Sequence, residues 1–252
     1  MMHERIRNAD ASQQVENVKA KHAYLHGRAD ATGEWSVIWS RSDDCSWAHA
    51  FGRMRGFDQV YHGSVGDYDR MCMENWLDLY EVYPEVTGKD PRPLMECSVH
   101  TLVTDVIEVA ADGQSARGCF ITPGVIHSRL TADKGEDGKV HRSPKYCHVL
   151  WERYGSDFVC EDGEWKYLHE HVCPDLVGDM DHTNWAADEY KRITDPNPGE
   201  MMPPTLGCPP VTDPGPMHMP YSVLSTPQNT VPWPEPYETL DNDNTYTPFL
   251  KK

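Results

Sequence analysis

Apolar positions along this chain recur first with a helical period and later with an alternating one. In "ADASQQVENVKAKHAYLHGRA" (9–29), Val15, Val18, His22 and Leu25 fall near helical spacing, with Ser12 as N-cap and Gly33 as breaker. That pattern predicts a first helix. "EWSVIWS" predicts a short second helix, and "DDCSWAHAFG" a short strand. Met73, Trp76, Leu77 and Tyr80 stand at i, i+3, i+4 and i+7, which predicts a third helix over 65–83. From residue 95 the period becomes two. "MECSVHTLVTDVIEVA" (95–110) reads as one strand, Asp112-Gly113 as a hairpin turn, and "SARGCFITPGVIHSRL" (115–130) as the partner strand. A charged loop, "ADKGEDGKVHRS", leads to a third long strand over 145–163, and "EWKYLHEHVCPDL" is a fourth.

Alternation along that fourth strand puts Trp165, Tyr167, His169, His171 and Cys173 on one face. His169, His171 and Cys173 would then span roughly 14 Å, too far for one ion to bind all three. A His-x-His pair completed by His148 on the neighbouring strand keeps a metal-dependent enzyme as an alternative. The expected arrangement is instead one histidine lining a cavity and the other supporting it or facing a subunit boundary. Metal and organic cofactors are both expected to be absent. The chain carries no GxGxxG, Walker A, HExxH or GxSxG motif.

Composition then narrows the functional classes. A hydrophobic share of 38% fills a real core, and a formal net charge of -17 repels phosphate backbones, so no nucleic-acid partner is expected. The polar start "MMHERIRNADASQQ" predicts no secretory leader, and no apolar run is long enough for a membrane span. Eight scattered cysteines without a CxxC pair read as reduced, buried thiols of a cytoplasmic protein. Fourteen of the twenty prolines lie between Pro196 and Pro248, which divides the chain into an α+β domain, 1–195, and a Pro-rich extension, 196–252. Tyr221, Trp233, Tyr237, Tyr246 and Phe249 make that extension an arm expected to pack on its own domain or on a neighbouring subunit.

Three segments together carry a family resemblance: "ENVKAKHAYLHGRADATGEWSVIW", "HTLVTDVIEVAADGQSARGCF" and "LWERYGSDFVCEDGEWKYLHEHVCPD". Over roughly residues 12–178 the chain resembles the nuclear-transport-factor-2-like superfamily, in its SnoaL-like branch. The resemblance implies an α+β cone-shaped barrel: a strongly curved, mixed or antiparallel sheet lined by N-terminal helices around an apolar cavity. It also implies a homo-oligomer, dimer or trimer. Members of the family include scytalone dehydratase, bile-acid 7α-dehydratase and ketosteroid isomerases, and others serve only as binding or assembly modules. The implied activity is cofactor-independent proton transfer, by a lyase or isomerase, on a small hydrophobic, hydroxylated polycyclic or aromatic substrate. A non-catalytic binding module of the same fold is the alternative.

The chemistry calls for a group that titrates near neutrality inside a dry pocket. His100, in "CSVHTLV", is the candidate base. By the resemblance, Tyr24 holds a substrate oxygen, and Asp30 or His26 orients and tunes His100. His26 and Asp30 are four residues apart and share a helical face if the helix runs that far. Trp35, Trp39 and Phe120 would form the apolar wall, and His171 and Asp175 a second polar contact to substrate.

Overall fold

The computed structural model describes residues 2–27, 37–49, 52–61, 80–89, 96–128, 132–142, 147–179, 212–214 and 231–247. Helix α1 (Met2–Gly27) starts well before Ser12, which lies inside it. The first turns contain no breaker, and the Arg7 guanidinium donates to the carbonyl of Ala111, tying them to a hairpin turn. Ala11, Val15, Val18, Lys19 and His22 form the buried stripe of α1. Residues 37–38 are helical, but Trp39 bridges to Tyr167 in the sheet, so the short second helix stops there. Most of the third predicted helix lies outside the described residues; 80–82 are helical.

Among the described residues ten strands follow: β1 (Ser46–His49), β2 (Gly52–Arg55), β3 (Glu96–His100), β4 (Val103–Val109), β5 (Ser115–Ser128), β6 (Ala132–Lys134), β7 (Val140–Arg142), β8 (Cys147–Glu161), β9 (Glu164–Asp179) and β10 (Asp213–Pro214). Eight of them form one mixed sheet in the order β10-β2-β1-β9-β8-β5-β3, with β4 also paired to β5. β1 runs parallel to β9, and the other pairs are antiparallel. The fold is α+β, with α1 against the mixed sheet, and among the described residues that sheet does not close into a barrel. The segment expected as a charged loop is the β6–β7 hairpin.

Two departures from the expected strands shape the interior. The strand expected over 95–110 is broken at Thr101 and Leu102. Its partner there is Pro123, which has no N–H to give a ladder; only its carbonyl serves, accepting from the Thr101 hydroxyl at 2.8 Å. His100 therefore ends a strand at the edge of a gap. The second departure is a bulge. His169 pairs with Asp157 but Tyr167 pairs with Phe158, so Leu168 is an extra residue on β9. One inserted residue reverses the alternation. Trp165 and Tyr167 join the core under α1, as do Glu170 and Val172, while His169, His171 and Cys173 face the opposite side. The shared face expected for all five residues is thus split in two.

The core between α1 and the sheet is largely aromatic. Trp39 stacks on Tyr167 at 5.0 Å, Phe158 meets Tyr167 at 4.8 Å, and Phe120 meets Phe158 edge-on at 6.4 Å. On the far face, residues 231–247 lie along β5, β8 and β9. Val231 and Tyr246 pack with Cys173 and Cys119. Gly155 is required there, because a Cβ would stand 2.7 Å from the Tyr246 ring. The Tyr246 hydroxyl donates to the Pro232 carbonyl, and its ring lies 4.4 Å from the Arg117 guanidinium. Asp213 pairs with Arg53 on β2. Among the described residues, no helix is long and apolar enough to cross a membrane.

Candidate active site

A cavity of about 680 Å³ opens between α1 and the β3–β4 break. Its helical side carries Glu16, Lys19, Ala20, Ala23 and Tyr24; its strand side carries His100, Leu102, Asp105 and Phe120. The break opposite Pro123 turns His100 and Leu102 into wall residues. Gly124, paired with His100, lets the imidazole lie close to the sheet, since a Cβ there would be 3.2 Å from the ring.

Behind His100 stands a buried polar line. Tyr154 donates its hydroxyl proton to Glu152 Oε2 at 2.7 Å. His100 Nδ1 lies 3.3 Å from the same hydroxyl and 3.6 Å from Glu152 Oε2. Because the tyrosine proton is used on Glu152, Nδ1 is the donor in the His100–Tyr154 contact, and Nε2 carries the lone pair. Alternation on β8 puts Glu152 and Tyr154 on the α1 face together with Phe158. Beside this line, Lys19 Nζ pairs with Glu170 Oε1 at 2.6 Å and lies 4.1 Å from the Tyr154 ring, 5.0 Å from Phe120 and 5.2 Å from Tyr167.

The electrostatics follow from burial. His100 is pushed down to about 4 by desolvation, with the nearby charges of His22, Lys19 and His49 acting in the same direction. It is a neutral imidazole at working pH, so its approach to Glu152 is not an ion pair. Glu152 is pushed up to about 7, again by burial, and Glu170 adds to the rise. The hydrogen bond from Tyr154 and the charge of Lys19 oppose it. Tyr154 is held well above its ordinary value by burial and by the two carboxylates. The group poised near neutrality is therefore Glu152, and the neutral His100 stands between it and the cavity wall.

Among the residues expected from sequence, His100 and Phe120 line this cavity. Tyr24 lines it too, but at its outer end and 76% exposed. Asp30, Trp35 and the His26 side chain lie outside the described residues. The α1 histidine buried toward the interior is His22, one turn earlier, edge-on to Tyr167. Trp39 is a core residue stacked on Tyr167 and does not line the cavity. The bulge at Leu168 carries His171 to the far face of the sheet. Asp175 is held by Nε and Nη2 of Arg153 and does not line the cavity. His169 donates from Nδ1 to Asp157 at 2.8 Å and from Nε2 to the Asp44 carbonyl at 2.9 Å. Burial opposes its charge, but the hydrogen bonds to Asp157 and Asp44 prevail and raise it to about 9. An imidazolium with both nitrogens donating has no lone pair for a metal, which removes His169 from the metal alternative. Among the described residues, no three His, Cys, Asp or Glu side chains converge on a point.

Lys19, Glu152, Tyr154 and Glu170 were missed. Their signal was a charge inside an apolar pattern: Lys19 sits in the Val15–Val18–His22 stripe, and Glu152 and Tyr154 share the face of a strand bounded by Leu150 and Phe158.

No protein-family model matches the sequence, and no curated protein matches it. Solved structures do resemble it. One is an NTF2-like superfamily protein from Salmonella enterica serovar Typhimurium, at 17% identity and TM-score 0.39, covering 65% of this chain and 90% of that one. Another is an NTF2-like protein with a cystatin-like fold from Novosphingobium aromaticivorans, at 13% identity and TM-score 0.38, covering 68% and 86%. A third is the hexachlorocyclohexane dehydrochlorinase LinA-type3 from Novosphingobium barchaimii, at 12% identity and TM-score 0.43, covering 75% and 100%.

Proposed function

We propose that this chain is a cofactor-independent lyase or isomerase that moves a proton on a small, hydrophobic, hydroxylated or carbonyl-bearing substrate. The observation that carries the reading is the line His100–Tyr154–Glu152, buried at one end and ending in a cavity wall at the other. A histidine that resists charging is a poor base alone. The relay removes that difficulty. As His100 Nε2 takes a proton from substrate carbon, Nδ1 passes its own to the Tyr154 oxygen, and Tyr154 passes its proton to the Glu152 carboxylate. His100 and Tyr154 end neutral, and the proton rests on the group with an affinity near neutrality. No imidazolium forms in a place where burial disfavours it. Reversing the relay returns the proton to another carbon, an isomerisation, or to a departing hydroxyl, a dehydration. The apolar wall of Ala20, Ala23, Leu102 and Phe120 holds the substrate.

The experiment is a screen of neutral aromatic alcohols and ketones in D₂O, followed by proton NMR for conversion or loss of a C–H signal. The wild type should convert or exchange at least one compound class, and His100→Phe should lose that activity while retaining its circular dichroism. A converted compound whose turnover survives His100→Phe would contradict the reading.

A further inference from the structure

We infer that Lys19 is the electrophile of this site: its ammonium receives an oxygen of a neutral carbonyl substrate as that oxygen becomes negative. The inference rests on the proton-relay reading and adds the substrate class to it. Lys19 is 1% exposed, in the middle of the apolar stripe of α1. Burying an ammonium is costly, and a buried ion pair such as Lys19–Glu170 is no better for stability than two well-packed apolar side chains. Stability alone therefore does not account for the pair. Its placement does suit chemistry. The Nζ is fixed by Glu170 and surrounded by the rings of Tyr154, Phe120 and Tyr167, two of which belong to the relay or to the cavity wall. Its charge acts on both His100 and Glu152. Among the described residues around the cavity, Lys19 is the one cation.

Charge accounting gives the substrate. At rest Glu170 balances Lys19. When the relay moves a proton from substrate to Glu152, the carboxylate charge disappears and an equal charge appears on the substrate. The C–H electron pair forms a new C=C bond, and the carbonyl π pair moves to oxygen, giving an enolate. An ammonium held beside the relay stabilises that oxygen without reorganising. An alkene or a halocarbon without such an oxygen gains nothing from it. A carboxylate substrate would also meet Glu16 and Asp105 on the cavity wall. The substrate class is therefore an uncharged ketone or aldehyde with an acidic neighbouring C–H.

The test uses 4-nitrophenol, a non-reacting probe whose absorbance reports whether the bound form is phenol or phenolate. The wild type should bind it as phenolate, with the bound probe's pKa below that of the free probe. Lys19→Met alone strands the Glu170 carboxylate and risks misfolding, so the decisive variant is Lys19→Met with Glu170→Leu, which removes both charges. That double variant should fold, still bind the neutral phenol, and lose roughly 10- to 100-fold in phenolate affinity relative to phenol affinity, the scale of a charge-assisted hydrogen bond. Equal phenolate affinity in the two proteins overturns the inference, as does a wild type that binds only the neutral phenol or no probe at all. Failure of the relay appears instead in turnover by His100→Phe, which this probe does not undergo.

Discussion

Tyr154 gives its single hydroxyl proton to Glu152 at 2.7 Å, while His100 Nδ1 stands 3.3 Å from the same oxygen. One phenol thereby joins a cavity-wall histidine to a fully buried carboxyl. Tyr154→Phe keeps the ring and breaks the link. It should fold, keep ligand affinity, and lose about 10²-fold in kcat, the low end for loss of a positioned proton-transfer group. Glu152 would also lose the hydrogen bond that lowers its pKa, so any remaining rate should rise at a higher pH than in the wild type. A kcat–pH profile measures both effects.

Glu152 also sets a pH dependence of stability. Its folded pKa, about 7, lies above the ordinary 4.5, so the folded state holds a proton that the unfolded chain has released between those values. Stability from this group is full below about 4.5 and is lost as pH rises to about 7. At about 1.4 kcal/mol per tenfold change in proton affinity, the loss is about 3 kcal/mol. His100, lowered to about 4, works in the opposite sense over 4 to 6.5, so the wild type alone shows a muted slope. Comparison with Glu152→Gln isolates the carboxyl. Urea unfolding should find the variant gaining on the wild type between about pH 4.5 and 8. A difference that stays constant with pH would contradict the assignment.

His169 acts in the same sense as Glu152 but at higher pH, holding the outer face together as a cation. Its folded pKa, about 9, exceeds the usual 6.5, so its contribution is complete below about 6.5 and disappears as pH rises through 9. His169→Gln should therefore be destabilised by about 3 kcal/mol near pH 6, and the gap to the wild type should narrow above about pH 9. Thermal or urea denaturation at the two pH values checks this.

The arm depends on the same cluster. Thr245 Oγ and the Tyr246 amide both donate to Asp157 Oδ2, and Tyr246 fills the space left by Gly155. We propose that residues 196–252 act as a strap on the 1–195 domain. Gly155→Val should expel the Tyr246 ring while leaving the cavity side unaltered. Limited proteolysis should then cut within 231–247 faster than in the wild type, with 4-nitrophenol binding unchanged. Equal cleavage rates would sink the strap.

Much of this architecture is legible in the sequence. The helical stripe at Val15, Val18 and His22, the Asp112-Gly113 turn, and the long strands around it are local patterns, and local patterns survive folding. What the sequence hides is non-local. Nothing near Leu168 announces a bulge, because bulges arise from the match between two strands, and this one moved His169, His171 and Cys173 to the other face. Pro123 faces the break in a strand 22 residues away in the chain, a consequence visible only once the pairing is known. His26 and Asp30 stand out in the sequence as a histidine–carboxylate pair four residues apart, whereas Lys19 stands out only as a charge inside the apolar stripe of α1, and its burial beside the cavity is visible only in the fold. Glu152 became conspicuous only when its burial and its contact with Tyr154 were known together.

The account rests on Glu152 as the final proton acceptor, and the pH dependence of kcat tests that claim most directly. With a substrate from the D₂O screen, the wild-type rate should rise with pH to a plateau, with its midpoint at about 7, because the relay needs the ionised carboxylate. Glu152→Gln should lie roughly 10²–10⁴-fold lower and lack that rise. A folded Glu152→Gln protein with wild-type turnover and an unchanged midpoint would contradict the relay.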